Sequence, residues 1–485
     1  RALLARDANA SAAVVTVLKK HVDNAAVVHA ALRALRNISR EEAACRPLLR
    51  DHGAAAAIVA ALQQHADSVE VARAACTSLK NLGSHVGAWE WLVRVNGIGV
   101  ALVAVLQRHA SDTEVVAVGC WGLKYLAAVP SGRALLARGG GDGATGMVMA
   151  VLKRHIGNVS VVHAATEALC NISLDVEACA ALVRDHGAAA AIVAALQQHV
   201  DNADVAQAAC NMLRNLTRPT DVRALLAQHV SIGSAVVAAL QRHASNAEVA
   251  VPGCRVLGHV VVVEANAEAL SQDAIAAMAL AAALQQHAGN VVVAENASRV
   301  LACILAANAA PTPPATCHAV GAAVTTAMVL HPRNGNLAEH GCRVLRHLAK
   351  TATDSGPLVR DHDAGAALTA ALQTHGGNVD VVRAACDALR YLAAETPHAT
   401  RVALARTDGA VAAVLSVLER HAVDDDTAVA AVGALYWLCM ASAPAAIVPE
   451  SARDGCDAVL RRLMHRDDNN HELQVWCDTV ATLLA

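Results

Sequence analysis

Histidine and cysteine are the residues in this sequence whose chemistry could be functional, because the chain contains 24 histidines and 14 cysteines. Imidazoles and thiolates bind zinc, and both serve in acid–base or nucleophilic catalysis. Eleven of the histidines, however, recur every 44 residues, with two of the intervals stretched to 46. These column histidines are His21, His65, His109, His155, His199, His243, His287, His331, His375, His421 and His465. A side chain that returns with a fixed period belongs to a repeated structural element, whereas a catalytic site is assembled once.

The cysteines follow the same period. Six of them share one position of the repeat, namely Cys76, Cys120, Cys210, Cys254, Cys342 and Cys386. This position falls on an apolar helix face, which predicts small buried thiols and not disulfides. Such thiols fit a reducing compartment, so a cytoplasmic location is expected, and a nuclear one stays open.

A metal site does not fit the spacing of these residues. His259, Cys303 and His347 occupy the same position in three consecutive repeats. Equivalent positions on packed helices lie about 8–10 Å apart, whereas zinc ligands lie about 2.0–2.3 Å from the metal. We therefore predict a protein that is not an enzyme, with no catalytic residue, no metal and no cofactor.

The period predicts a single solenoid. A repeat of this size that runs through all 485 residues indicates one supersecondary unit stacked about eleven times. Phe is absent, and the net charge of −3 argues against a generally basic coat for nucleic acid. No apolar run is long enough to span a membrane. Irregular repeats are expected near 139–143, 252–253 and 306–318, where Gly or Pro interrupts the pattern. The first residues, 1–7, match the interior of a later repeat, so the chain looks like a fragment of a longer one.

Each repeat divides into three helical segments. In the second repeat these are EEAACRPLLRD (41–51), GAAAAIVAALQQH (53–65) and SVEVARAACTSLKNL (68–82), each with apolar residues at three- and four-residue steps. Three residues after each column histidine stands Asn, Asp or Ser, from Asn24 to Asp468. Such residues cap helix N-termini, which places the start of a third helix there. The column histidine ends the second helix, where it is expected to cap free carbonyls; a pH-sensing role is the open alternative.

Sixteen residues after the histidine lies a landmark position that is Asn in four repeats. The segments around it, such as AALRALRNIS (30–39) and CNMLRNLT (210–217), resemble the third helix of armadillo repeats. The resemblance extends over the whole chain and implies an all-α, right-handed armadillo-type α-solenoid of about eleven 44-residue three-helix repeats. It also implies that the third helices line a concave groove, in which landmark asparagines bind the backbone of an extended ligand. The family's Trp, four residues before the landmark, is present only as Trp121, in a repeat whose landmark is Tyr125.

The positions eight, four and one residue before the landmark share one face of the third helix. Together they carry twelve Lys or Arg and four Asp or Glu residues. We name this face the third-helix stripe. Its basic excess predicts that it binds an acidic or phosphorylated protein segment through arginine side chains. With the landmark positions, the candidate groove residues are Arg33, Asn37, Arg73, Asn81, Trp121, Tyr125, Asn171, Asn215, Arg255, His259, Arg299, Arg343, His347, Arg383 and Tyr391.

The favoured function is thus a non-enzymatic scaffold for protein–protein interaction. Three alternatives remain open at this point: a stripe that is only a solvated helix face, a regulatory arm of a kinase or ubiquitin ligase, and a transport or cytoskeletal adaptor. Aromatic side chains make up only 2% of the residues, which disfavours single-stranded nucleic acid as a ligand. The partner itself and the oligomeric state do not follow from the sequence.

Overall fold

The computed structural model describes a helical protein. The residues it describes are 8–85, 87–137, 143–273, 275–308, 310–352, 354–407, 409–421, 424–440, 459–463 and 471–484. Within them, β-structure is limited to one isolated parallel bridge between Thr312 and Ala352. Three features of the predicted repeats lie outside these residues: the Gly-rich stretch 139–142, His465 and Asp468.

The predicted three-helix unit is confirmed where all three of its helices are described, in eight of the predicted repeats. We number the repeats by their column histidines, from His21 in repeat 1 to His465 in repeat 11. The first helices, absent from the described parts of repeats 1, 8 and 11, are Glu42–Arg50, Trp89–Leu92, Pro130–Ala137, Val176–Arg184, Thr220–Leu226, Glu264–Ser271, Gly356–Arg360 and His398–Ala405. The second helices of repeats 1–10 are Ala8–Lys20, Ala54–Gln64, Ile98–Arg108, Gly143–Arg154, Ala188–Gln198, Ser231–Arg242, Ala276–Gln286, Pro314–Leu330, Ala364–His375 and Ala410–Arg420. The third helices of repeats 1–11 are Ala25–Ile38, Val69–Gly83, Thr113–Ala127, Val159–Ile172, Ala203–Leu216, Ala247–Val260, Val291–Ala307, Gly335–Thr351, Val379–Glu395, Asp425–Cys439 and His471–Leu484.

The predicted caps start the third helices. In repeats 1–9 the side chain three residues after the column histidine accepts a hydrogen bond from a backbone N–H of the first turn. Asp424 of repeat 10 stands at the same position but makes no such bond. Its carboxylate instead accepts from the Thr427 hydroxyl and from Arg383. Because the third helix begins at the same position of each of these repeats, the third helices of successive repeats keep the same register.

The chain divides into two compact units, 1–235 and 236–485. Within each unit the third helices of successive repeats pack against one another. The core consists mainly of Ala, Val and Leu, and the six column cysteines are fully buried, as predicted. The described cysteines form no disulfide, and none of the described helices is long and apolar enough to cross a membrane by itself. That the two units form one uninterrupted solenoid remains a prediction.

Repeat 8 departs from the pattern at the prolines identified in the sequence. No first helix is present among its described residues, and its second helix begins at Pro314 and runs for 17 residues. Proline cannot donate a backbone hydrogen bond but fits the first turn of a helix, which accounts for this start. Pro252, in contrast, lies inside the continuous third helix Ala247–Val260. The bend expected there stays a prediction.

The column histidines connect neighbouring repeats. In eight of them the ring Nε2 atom lies 2.6–2.9 Å from the carbonyl oxygen of the residue that follows the preceding column histidine. The acceptors in order are Val22, Ala66, Ala110, Ile156, Ala244, Ala288, Pro332 and Gly376. Because a carbonyl can only accept, each of these rings carries its proton on Nε2. The histidine therefore satisfies a carbonyl of the preceding repeat.

His109 is the column histidine that tests this role, since it is 6% exposed. Replacing it by Ala leaves the Ala66 carbonyl without its ring donor, and we expect a loss of about 1–3 kcal/mol in the free energy of unfolding. Urea unfolding followed by circular dichroism measures this change. His21 is the matched control, because it is exposed and its ring makes no hydrogen bond to a described residue. Equal losses in the two variants would contradict the role of the ring.

Candidate functional site

The third-helix stripe is organised by contacts between consecutive repeats. A side chain four residues before one landmark meets the side chain that directly precedes the landmark of the previous repeat. In this way Glu167 pairs with Lys124 at 2.7 Å, and Asp387 pairs with Arg346 at 3.7 Å. Acidic and basic side chains of the stripe thus face each other between the third helices of consecutive repeats. The sequence pattern within one helix does not show this pairing.

The landmark asparagines use the same relation. The Nδ2 atoms of Asn81 and Asn171 donate to the carbonyls of Arg36 and Lys124 in the preceding repeat, both at 3.0 Å. The amide of Asn215 donates to the Cys170 carbonyl at 2.9 Å. These amides therefore join neighbouring third helices. Their predicted role toward a ligand backbone remains a prediction.

Exposure differs among the four asparagines. Asn215 is 2% exposed, and its Oδ1 also accepts from Arg214 at 3.4 Å. Asn37, Asn81 and Asn171 are half-buried, and the side chain of Asn37 makes no hydrogen bond to another described residue. Asn37 is consequently the landmark asparagine with the most free hydrogen-bonding capacity.

In the first unit, the stripe contains an aromatic side chain between cations. The Nζ atoms of Lys80 and Lys124 lie 5.3 and 4.4 Å from the ring centroid of Trp121. The His163 ring packs edge-on against the same indole, with centroids 5.3 Å apart, and Tyr125 stacks on it at 6.2 Å. Burial lowers the pKa of His163. An indole with two ammonium groups offers an apolar surface beside positive charge.

Room for Tyr125 comes from a glycine in the preceding repeat. A Cβ at Gly83 would lie 2.7 Å from Cδ2 of Tyr125, so the ring rests directly on the backbone of the neighbouring third helix. A similar close approach to a glycine occurs in the second unit, where a Cβ at Gly258 would clash with a terminal guanidinium nitrogen of Arg299. Substituting either glycine would displace a stripe side chain.

In the second unit, three arginines share one position in repeats 6–8. Arg255 has no ion pair with a described residue. Arg299 donates to the Asn296 side chain at 2.9 Å, and Arg343 pairs with Glu339 of its own helix at 2.9 Å. All three are half-buried. Since the third helices of these repeats pack consecutively, the arginines form a row on one face.

Two histidines lie within this basic region. Burial, with Arg299 and Arg343 nearby, lowers the pKa of His340 to about 4. Burial, with Arg346, Lys350 and Arg343 nearby, lowers the pKa of His347 to about 4. Arg346 donates to Nε2 of His347 at 3.3 Å, an interaction that requires this nitrogen to be unprotonated. His340 was not among the predicted groove residues, because its burial arises from packing between repeats.

Two other predicted groove arginines are already paired. Arg73 contacts the Asp112 and Glu114 carboxylates, both at 3.1 Å. Arg383 contacts Asp424 and Asp426 at 3.4 and 3.6 Å. In both cases the acids belong to the cap region of the next third helix. At both described third-helix caps that are Asp, the preceding repeat thus supplies an Arg to neutralise the carboxylate.

Three of the predicted site residues remain, namely Arg33, His259 and Tyr391. Arg33 is exposed, and His259 is half-buried. The Tyr391 ring lies under the Arg390 guanidinium, 4.6 Å from ring centroid to Cζ. No group of three His, Cys, Asp or Glu side chains within the described ranges is arranged to hold a metal ion.

The low pKa values of His340 and His347 predict a pH dependence of stability. Below an ordinary histidine pKa of 6.5 the unfolded chain binds protons that the folded chain takes up only near pH 4. Stability is therefore lost as the pH falls through this window, by roughly 1 kcal/mol for each half-buried histidine after solvent screening. Thermal unfolding of the wild type and of the His340→Gln/His347→Gln variant at several pH values measures it. An unchanged pH dependence in the variant would refute the assignment.

Comparison with known proteins shows which fold this architecture resembles. Residues 98–279 match a family model described as the LRRK2 ARM repeat. No curated protein matches the sequence. A solved structure concerning a phosphorylation switch that controls the interaction between cadherin and beta-catenin is similar, with a TM-score of 0.61 and 15% identity over 97% of this chain and 99% of that chain. UNC-45 from Drosophila melanogaster gives a TM-score of 0.61 and 15% identity over 98% of this chain, which spans 65% of the UNC-45 chain. The chain is therefore an armadillo-type solenoid, as the resemblance of its third helices indicated, with the family model itself matched over residues 98–279.

Proposed function

We propose that this protein is a non-enzymatic interaction scaffold that binds an extended, acidic or phosphorylated protein segment along its third-helix stripe. The observation that carries this proposal is the row formed by Arg255, Arg299 and Arg343 on consecutively packed helices. Guanidinium groups at the spacing of packed helices, about 8–10 Å, suit successive anionic groups of an extended chain. They are too far apart to share one small anion.

The charges around the row support an anionic ligand. Glu339 forms an ion pair with Arg343, and Glu295 accepts a hydrogen bond from Asn336 at 3.0 Å. Burial and the neighbouring cations hold His340 and His347 neutral, so a proton taken up there would have to be balanced by an added anion. Binding of a phosphate or carboxylate should consequently become tighter as the pH falls toward the pKa values of these histidines.

The first unit supports a mixed apolar and acidic ligand. Lys80 has no ion pair with a described residue, and it lies beside the half-buried Trp121. A ligand carboxylate near Lys80 and an apolar side chain against the indole would both be stabilised. Asn37, which has free amide groups, is a candidate contact for the ligand backbone in this unit.

A phosphorylation-controlled partner is consistent with this proposal. One of the similar structures concerns a phosphorylation switch in the interaction between cadherin and beta-catenin. The proposed setting is the cytoplasm or the nucleus. A regulatory arm of an enzyme and a transport or cytoskeletal adaptor are both compatible with the same stripe, because the fold alone does not select a partner.

Titration with three peptide sets of equal length tests the proposal. Acidic, phosphorylated and basic peptides, each long enough to contact three repeats, are titrated at low and high salt with fluorescence anisotropy as readout. We expect the acidic and phosphorylated sets to bind and their affinity to fall with salt, because exposed charge contacts are screened. Preference for basic peptides, or an affinity that does not depend on salt, would refute the proposed ligand class.

A further inference from the structure

The end of the second helix in repeat 8 has an unusual surface. In the nine other described repeats, polar or charged residues occupy both positions before the column histidine. These pairs are Lys19–Lys20, Gln63–Gln64, Gln107–Arg108, Lys153–Arg154, Gln197–Gln198, Gln241–Arg242, Gln285–Gln286, Gln373–Thr374 and Glu419–Arg420. Repeat 8 has Val329 and Leu330 instead, and they are 64% and 53% exposed. Repeat 11 carries Leu463 at the first of these positions, but that side chain is buried.

Exposure of two adjacent aliphatic side chains costs solubility without adding to the core. The fold does not require it here, because nine repeats end the same helix with polar residues. Pro332 follows in the turn and is exposed, and Val291 at the start of a neighbouring third helix is 43% exposed. We name Val291, Val329, Leu330, Pro332 and Arg333 the repeat-8 patch. It belongs to helix ends and turns, not to the third-helix stripe.

Two cavities adjoin the patch, and the second of them is a shallow depression that is wide open to solvent. One has a volume of about 130 Å³ and is lined mainly by apolar side chains, including Met328, Val329, Ala367 and Ala371. An apolar cavity of roughly 150 Å³ accepts a benzene molecule, so this space fits one branched aliphatic or phenyl group. The second cavity, of about 440 Å³, shares His331 and Pro332 with the first and extends to Leu330 and Arg333.

The charge at the patch is positive. Arg333 is the one formally charged residue among those that line the two cavities. It is exposed and has no ion pair with a described residue. The turn that carries it is held in place, because the His375 ring donates to the Pro332 carbonyl at 2.9 Å. A cation carried on this turn beside an apolar cavity favours a ligand that combines an apolar side chain with a carboxylate.

We propose that the repeat-8 patch is a second docking site, for a partner protein segment with one aliphatic or phenyl anchor next to an acidic residue. The anchor enters the smaller cavity between the second helices of repeats 8 and 9, and the carboxylate pairs with Arg333. Val329 lines this smaller cavity, and Leu330 lines the adjoining depression beside Arg333. A symmetric contact between two copies of this chain fits less well, since it would bring two Arg333 side chains together without an acid to neutralise them.

Peptide selection tests this site directly. A phage-displayed random peptide library is selected on the full chain, with counter-selection on the Val329→Gln/Leu330→Gln variant. That variant carries the Gln–Gln pair that repeats 2, 5 and 7 have at the same place, so it is expected to fold. Selected sequences should contain an aliphatic or aromatic residue beside Asp or Glu. A synthetic selected peptide should bind the variant at least about tenfold more weakly, as loss of one buried aliphatic contact predicts.

Two further variants separate the outcomes. Arg333→Glu should also weaken binding of the selected peptide, whereas simultaneous replacement of Arg255, Arg299 and Arg343 should leave its affinity unchanged. Equal affinity for wild type and the Gln–Gln variant, or selection of basic peptides, would overturn the proposal. So would a dimer of the wild type, measured by light scattering, that the Gln–Gln variant does not form, since the patch would then be occupied by a second copy.

Discussion

Simultaneous replacement of Arg255, Arg299 and Arg343 by Glu should weaken the binding of an acidic or phosphorylated peptide by at least about 100-fold. Each charge-assisted contact to a carboxylate or phosphate is worth about 1 kcal/mol or more, and reversal adds repulsion to the loss of three such contacts. The row lies on one face of packed helices, so an extended ligand meets all three changes. Fluorescence anisotropy with the same peptides measures the loss.

The fold should survive this change. Arg343 pairs with a carboxylate of its own helix and Arg299 with an amide, and partly exposed contacts of this kind contribute about 1 kcal/mol or less. The matched control replaces Arg360, Arg406 and Arg420, which are exposed and outside the stripe, by Glu. It changes the net charge by the same amount. If the control loses as much affinity as the stripe variant, the effect comes from total charge and the proposed site is wrong.

Asn215→Ala should destabilise the protein strongly for a single polar residue, with a loss of about 1–3 kcal/mol in unfolding free energy. The amide is buried, and it donates to the Cys170 carbonyl and accepts from Arg214. Alanine leaves the carbonyl without this donor and opens space between the third helices of repeats 4 and 5. The midpoint of urea unfolding should fall accordingly.

Asn37→Ala is the control for this prediction. Asn37 occupies the equivalent landmark position, but its amide makes no hydrogen bond to another described residue, so we expect a loss below about 0.5 kcal/mol. The two variants should show the reverse order in peptide binding if Asn37 contacts a ligand. Similar destabilisation by both variants would indicate that the hydrogen bond from Asn215 to the Cys170 carbonyl does not account for the lost stability.

Much of the fold follows from local signals in the sequence. Asn24 and Asn202 start third helices because a short polar side chain caps free N–H groups wherever it precedes an apolar helix. Cys76 and Cys120 are buried because their position lies on the apolar face of that helix. The prolines before Pro314 remove a first helix for an equally local reason. Repetition strengthens each of these signals, since it recurs in phase along the chain.

The candidate site was predictable only in part. The sequence identified which side chains share the stripe, including Arg255, Arg299 and Arg343, but not which of them are paired. Arg73 and Arg383 meet acids that stand about 40 residues further along the chain. Helical periodicity relates residues within one helix, and it contains no information on which side chain of the next helix lies opposite.

The repeat, its three helices, their caps and the apolar columns can be read from the amino-acid sequence, because they depend on interactions within a few residues or on a pattern repeated in phase. The hydrogen bonds of the column histidines to the preceding repeat and the burial of Asn215 between helices, in contrast, follow only from the packing of the repeats. The same packing leaves His340 half-buried and Val329 and Leu330 exposed. Burial and pairing of this kind depend on the separation and rotation of neighbouring helices, which packing of all side chains sets together.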